Sequence, residues 1–171
     1  DWSTPQQQLL EFLQQRQRYL LQDQYGFQPD LIRALEKGSL VPASQLELGK
    51  QLRREFKNEA LKKALDALQR PLNIWAKNSD TNLNAVNSEN FRDDAEKELW
   101  DAAQQLTNDS QGSSDFVNRA ISLESKIERF FENVMVMDED LSVRSNRLNI
   151  CKQIHDWSLQ YLDLREFHIQ K

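Results

Sequence analysis

Along most of this chain apolar positions recur three or four residues apart, and the places where that period breaks mark its connections. Leu9, Phe12, Leu13, Leu20 and Leu21 form the first stripe. Thr4-Pro5, a capping residue before a proline at the first helical position, opens it, and Tyr25-Gly26 closes it. The spacing predicts a helix through about Gln24. Pro29 or Asp30 starts a short helix with Leu31, Ile32 and Leu35 toward the core and Gly38 as its C-terminal cap. Pro42 opens a third helix whose apolar face is Leu48, Leu52 and Phe56. The pattern breaks near Asn58, and residues 60–69 read as a separate amphipathic helix interrupted by Pro71. Residues 78–87 are mostly polar and predict the longest loop, with Ser88 capping a helix to about Thr107. A second linker, residues 108–114, precedes a helix carrying Phe116, Ala120, Leu123, Ile127, Phe130 and Phe131 to about Glu132. The last helix carries Val143, Ile150, Ile154, Trp157, Tyr161 and Leu164, widened by Leu141, Leu148, Cys151 and Leu162. The expected fold class is an all-α helical bundle.

Between the last two helices stand four apolar residues, Val134, Met135, Val136 and Met137, followed by Asp138, Glu139 and Asp140. The acids fall where a helix start exposes unpaired N–H groups and a positive dipole end, so they predict an N-terminal cap. Adjacent carboxylates lack the alternate spacing and glycine of a calcium loop, so no metal site is expected. The four apolar residues are then expected as a connection tucked into the core. Arg147 lies on the apolar stripe of the last helix, and an arginine buried there needs a carboxylate or carbonyl partner. Asp138, Glu139, Asp140 and Glu132 are the candidates close in sequence.

Composition narrows the class further. With four glycines, four prolines, 39% hydrophobic and 29% charged residues in 171, the chain reads as one soluble domain, residues 1–171. It has no bilayer-length apolar run and no N-terminal signal pattern, so no membrane and a cytoplasmic location are expected. Its one cysteine, Cys151, fits a reducing compartment. The first residue is Asp1, which reads as a fragment of a longer chain. The net charge of −5 hides a segregation along the sequence. Residues 50–77 hold eight basic residues against three acidic, and residues 78–141 hold five against fifteen. A polyanion would meet the former and avoid the latter. No phosphate-binding glycine loop is present, and His155-Asp156 lacks the preceding histidine of a metal phosphohydrolase; His155 and His168 read as boundary or surface residues. No catalytic residue and no metal ligand is expected.

The stretch "FFENVMVMDEDLSVRSNRL", residues 130–148, resembles the C-terminal motif of glycyl-tRNA synthetase β subunits: a phenylalanine pair, VMVM, acids, then R-x-N-R-L. The likeness extends upstream through "LLEFLQQRQRYLLQDQYGFQPDLIRALEKG" and "ALKKALDALQRPLNIWAK", where Pro71 replaces an expected valine, and on through Val86, Phe91, Glu96 and Leu99. The resemblance implies an all-helical, DALR-type anticodon-binding domain, as also found in arginyl-tRNA synthetases. It implies glycine tRNA as partner, the rest of the β subunit as neighbour, and an α2β2 tetramer. There the α subunits use ATP and magnesium to activate glycine. The fragment itself is expected to be monomeric, without cofactor and catalytically silent.

An anticodon arm needs cations for phosphates and planar groups for unstacked bases. Lys50, Arg53, Arg54 and Lys57 share one helical face, and Lys62, Lys63 and Lys77 extend the basic segment; the plainer alternative is a solvated helix face. Trp75 is the candidate for base stacking, since Trp100 sits within an amphipathic pattern. Arg144 and Asn146 either read base edges or hold the apolar connection, and Arg147 is expected to be structural. Two alternatives stand beside RNA binding: a docking module working through the acidic segment, and the related domain of arginyl-tRNA synthetase.

Overall fold

The computed structural model describes residues 3–38, 41–108 and 115–167. Among them are seven α-helices and no strand: α1 Ser3–Tyr19, α2 Pro29–Lys37, α3 Pro42–Glu55, α4 Glu59–Lys77, α5 Asp94–Asn108, α6 Phe116–Asn133 and α7 Leu141–Leu159. The linker expected at 108–114 lies, after its first residue, outside the described residues, as does His168. Helices α4 and α5 each pack against both α6 and α7, and α2 joins α3 and the C-terminal 3-10 turn Leu164–Glu166 on one side of that body. Phe116, Phe130, Leu123, Ile127, Ile150, Ile154 and Trp157 fill the centre, with Phe116 stacked on Trp157 at 5.3 Å between ring centroids.

Local chemistry sets most boundaries. Pro29 and Pro42 occupy first-turn positions of α2 and α3, where the missing N–H costs no helical bond. Asn58 caps α4 by accepting from the N–H of Ala60 at 3.0 Å. Asp140 caps α7, its Oδ1 accepting from the N–H of Ser142 at 2.9 Å. Helix α5 starts at Asp94 rather than at Ser88, because Asp93 accepts from the N–H of Ala95 at 2.8 Å; Ser88–Asn90 is only a 3-10 turn.

Three expectations fail for tertiary reasons. Pro71 does not interrupt α4: it is buried inside the helix, on a continuous stripe with Leu61, Ala64, Leu65, Leu68, Leu72 and Trp75. Burial of that stripe against α6 and α7 outweighs the lost hydrogen bond. Helix α1 does not bury its stripe. Leu9, Phe12, Leu13 and Leu20 are exposed, and only Leu21 enters the core. The helix ends through a π-helical turn, Leu20–Gln24, and a left-handed closure in which Gly26 N–H donates to Gln22 O at 3.0 Å and Phe27 N–H to Leu21 O at 3.0 Å. Gly26 adopts φ +63°, the left-handed value this closure needs. Leu141, finally, is exposed at the first turn of α7 instead of widening its stripe.

The connection after α6 begins extended, with Val134 at φ −123° and ψ 124°, and bends at 136–137, where the Asp138 N–H donates to Val136 O at 3.0 Å. Side chains therefore alternate between faces. Val134 and Val136 are buried, whereas Met135 is 74% and Met137 46% exposed. The expectation of a wholly internal connection is thus corrected: the valines anchor it and the methionines face outward.

Candidate nucleic-acid interface

The R-x-N-R sequence at the start of α7 is mostly architecture. Arg147 is buried, and its guanidinium donates from Nε to Glu96 Oε1 at 2.7 Å, and from Nη1 to Asp138 Oδ2 at 2.7 Å and to Met135 O at 2.8 Å. Glu96, fully buried on α5, also accepts from the N–H of Arg92 at 3.2 Å. One cation thus ties α5, the apolar connection and α7 together. Asp138 is a candidate from sequence; Glu96 is not, because its partner lies across the fold, and only its place in the family likeness marks it. Asn146 is 1% exposed and clasps the backbone of Asn87, donating to its O at 2.6 Å and accepting from its N–H at 3.1 Å. That pairing and burial withdraw Asn146 from base reading. Ser145 Oγ accepts from Asn84 N–H at 2.9 Å and Asn149 donates to Asn84 O at 2.8 Å, so one face of α7 pins the polar loop. Arg144 is half-buried beside that loop, lining a shallow hollow with Asn82, Met137 and Leu141.

Two acids around the connection, Asp138 and Asp140, are held toward the anion. Asp140 lies below the usual carboxylate range because the Ser142 hydroxyl and N–H and the Val143 N–H donate to it. Asp138 is lowered by the N–H of Asp140 and then by Arg147 and Arg92. Among the described residues no group of three His, Cys, Asp or Glu is placed to hold a metal ion. Cys151 is fully buried, and burial pushes its thiol up to about 12, so it is chemically quiet.

Trp75 does not offer a stacking face. It is 8% exposed within α4, with Lys152 Nζ 5.8 Å from its ring centroid. Burial against α7 takes it out of the candidate set.

The basic residues separate by what already holds them. Lys50 pairs with Glu47 at 3.0 Å and Lys62 with Glu59 at 2.9 Å. Arg53 donates to Tyr25 O. Arg54, Lys57, Lys63 and Lys77 are exposed, with no ion pair or hydrogen bond among the described residues. Lys77 sits at the far end of α4, away from the others. The end of α3 and the start of α4 thus place Arg53, Arg54, Lys57, Lys62 and Lys63 within one short stretch of surface, interrupted by the turn at 56–58. Against that stretch opens a groove of about 670 Å³, within the usual range for ligand pockets. Gly26, Phe27, Asp30 and Arg33 line it from one side and Leu52, Arg53, Phe56 and Lys57 from the other, with Phe167 between. Sequence reasoning finds these cations but misses Phe56 and Arg33 as their neighbours, since both sit in ordinary helical patterns.

Known proteins give the chain a family, by a match that leaves the groove and the cations at 53–63 outside it. The DALR anticodon binding domain matches residues 64–164. Over 164 residues the chain is 29% identical to the glycine–tRNA ligase beta subunit of Lactobacillus delbrueckii subsp. bulgaricus, covering 95% of this chain and 24% of that protein. It is 32% identical over 165 residues to the subunit of the same name from Pseudoalteromonas atlantica, covering 92% and 24%. For that of Streptococcus thermophilus the identity is 36% over 121 residues, covering 70% and 17%. The chain spans about a quarter or less of the length of these relatives. With the family match running from the second turn of α4 to the C-terminal turn, the chain belongs to the DALR anticodon-binding domain family.

Proposed function

We propose that this chain is the anticodon-arm-binding domain of a glycyl-tRNA synthetase β subunit, and that residues 1–171 act as one domain. The observation that carries the proposal is the cluster of unpaired cations at the α3–α4 junction, Arg54, Lys57 and Lys63, in a chain whose relatives are named as glycine–tRNA ligase beta subunits. Those cations, with Arg53 and Lys62, would neutralise phosphates flanking the anticodon loop. The acidic α5–α6 region would turn away from RNA. Glycine activation with ATP and magnesium would belong to α subunits of the same cytoplasmic enzyme, joined with the rest of β in an α2β2 assembly. Arg144 would serve at most as a second, peripheral phosphate contact.

Binding of an anticodon stem-loop with glycine specificity, compared with an acceptor-arm minihelix of equal charge, tests this. Tighter binding of the stem-loop, with amide shifts at residues 50–63, supports the proposal. Equal binding of both RNAs, or none, refutes it. Shifts confined to residues 78–141 on addition of the remaining β polypeptide, without RNA binding, would leave docking as the function.

A further inference from the structure

The groove beside the cationic stretch holds more than charge. Its floor is apolar, formed by the buried Phe27, Leu31, Leu52 and Phe167, while Phe56 is half-buried with its ring edge-on to Phe167 at 6.0 Å. Arg33, Arg53 and Lys57 stand on the lining, and Lys62 Nζ lies 6.0 Å from the centroid of the same Phe56 ring. Gly26 keeps the groove wall free of a side chain where the Arg53 guanidinium lies: a Cβ there would come within 3.3 Å of Nη1, on a backbone that side chains rarely adopt. A free inorganic anion would use the cations and ignore the aromatic floor. A neutral apolar ligand would do the reverse. A nucleotide uses both, with a π-face for stacking beside a phosphate. Arg54 and Lys63, next in sequence to Arg53 and Lys62, are exposed and add cations that a polyanionic backbone could use.

We propose that this groove receives one unstacked base of the bound RNA loop, packed on Phe56, with the adjoining phosphate held by Lys57 and Arg53. The assignment rests on anticodon-arm binding as proposed above, and it moves base contact from Trp75 and Asn146, which are buried, to the α2–α3 side of the fold. Asp30, on the lining, disfavours a second phosphate deeper in the groove.

The test is a coupling experiment on the full chain. Affinity is measured for anticodon stem-loops in which each loop nucleotide in turn is made abasic, with the wild type, Phe56→Leu and Phe56→Tyr. One abasic position should weaken wild-type binding about tenfold, the scale of a single base–aromatic stack. The same substitution should have almost no further effect in Phe56→Leu, and Phe56→Tyr should restore the penalty. Helical circular dichroism checks that Phe56→Leu is folded. If it is not, upfield shifts of the Phe56 ring protons on adding stem-loop to the wild type carry the test, and unshifted ring signals in an RNA-bound sample overturn the proposal. Penalties identical in wild type and Phe56→Leu also overturn it, while leaving anticodon-arm binding in place. A wild type that binds no stem-loop removes both. Phe56 signals moved by an acidic, aromatic-containing peptide but not by RNA would give the groove to a protein partner and overturn the proposal.

Discussion

At the scale of single residues, Arg147 and Glu96 are the pair on which the most depends. Both are buried, so removing the arginine leaves a carboxylate with neither solvent nor counter-charge. Arg147→Ala is expected to cost roughly 3 to 5 kcal/mol, measured by urea denaturation. Arg147→Met combined with Glu96→Leu should cost clearly less, because the fully buried carboxylate goes with the arginine and Asp138 keeps Arg92 at 3.6 Å. If Arg147→Ala leaves the denaturation midpoint unchanged, the buried tie is not holding these elements together. The Asp140 cap gives a pH dependence with a definite sign. Its folded carboxyl titrates below the unfolded value of about 3.9, so the stabilisation is fully present above roughly pH 4 and is lost as pH falls through the folded value. Asp140→Asn keeps an N-cap side chain but removes that titration. The variant's melting temperature should fall less steeply than the wild type's between about pH 4 and pH 2; parallel curves would contradict the assignment.

At the scale of elements, the sequence is legible where structure is made locally. Pro29, Pro42, Asn58 and Asp140 mark helix starts through their own backbone and side-chain chemistry, and all four stand at the starts of helices. It is illegible where a distant partner decides. Pro71 reads as a breaker until α6 and α7 supply the surface that keeps α4 continuous. The α1 stripe reads as core, yet among the described residues only its Leu21 is buried. Trp75 and Asn146 read as surface candidates because sequence shows their neighbours along the chain, not Lys152 or Asn87 across it. The VMVM connection shows both effects: its apolar character is plain, but its extended backbone sorts the residues into alternate faces. Val134→Ala and Val136→Ala should therefore each cost about 1 to 3 kcal/mol by thermal or urea unfolding. Met135→Gln and Met137→Gln should stay within about 0.5 kcal/mol of the wild type. A reversed order would mean that the methionines, not the valines, anchor the connection.

At the scale of the whole molecule, charge is divided between two regions: α3–α4 carries unpaired cations beside an aromatic-floored groove, and α5–α6 carries the excess of acids. Much of that division is legible in composition alone, but which cations are spoken for is not. Lys50 pairs with Glu47 and Arg53 donates to Tyr25 O, so of the four cations on that face Arg54 and Lys57 are the ones without a partner among the described residues. No helix among the described residues is long and apolar enough to cross a membrane. The most direct test replaces two unpaired cations of α3 and the turn after it, Arg54 and the groove-lining Lys57, with glutamine and measures stem-loop affinity across a salt series. Each phosphate that is no longer neutralised should make the slope of log K against log salt shallower by roughly 0.7 to 0.9, so the double variant's slope should fall by about 1.4 to 1.8 if both residues touch phosphate. Stability should change by less than about 0.5 kcal/mol per substitution. That shallower slope, with an unchanged helical spectrum, is the predicted result; a double variant binding with the wild-type affinity and slope would show that the α3–α4 junction is a solvated helix surface and not an RNA-binding one.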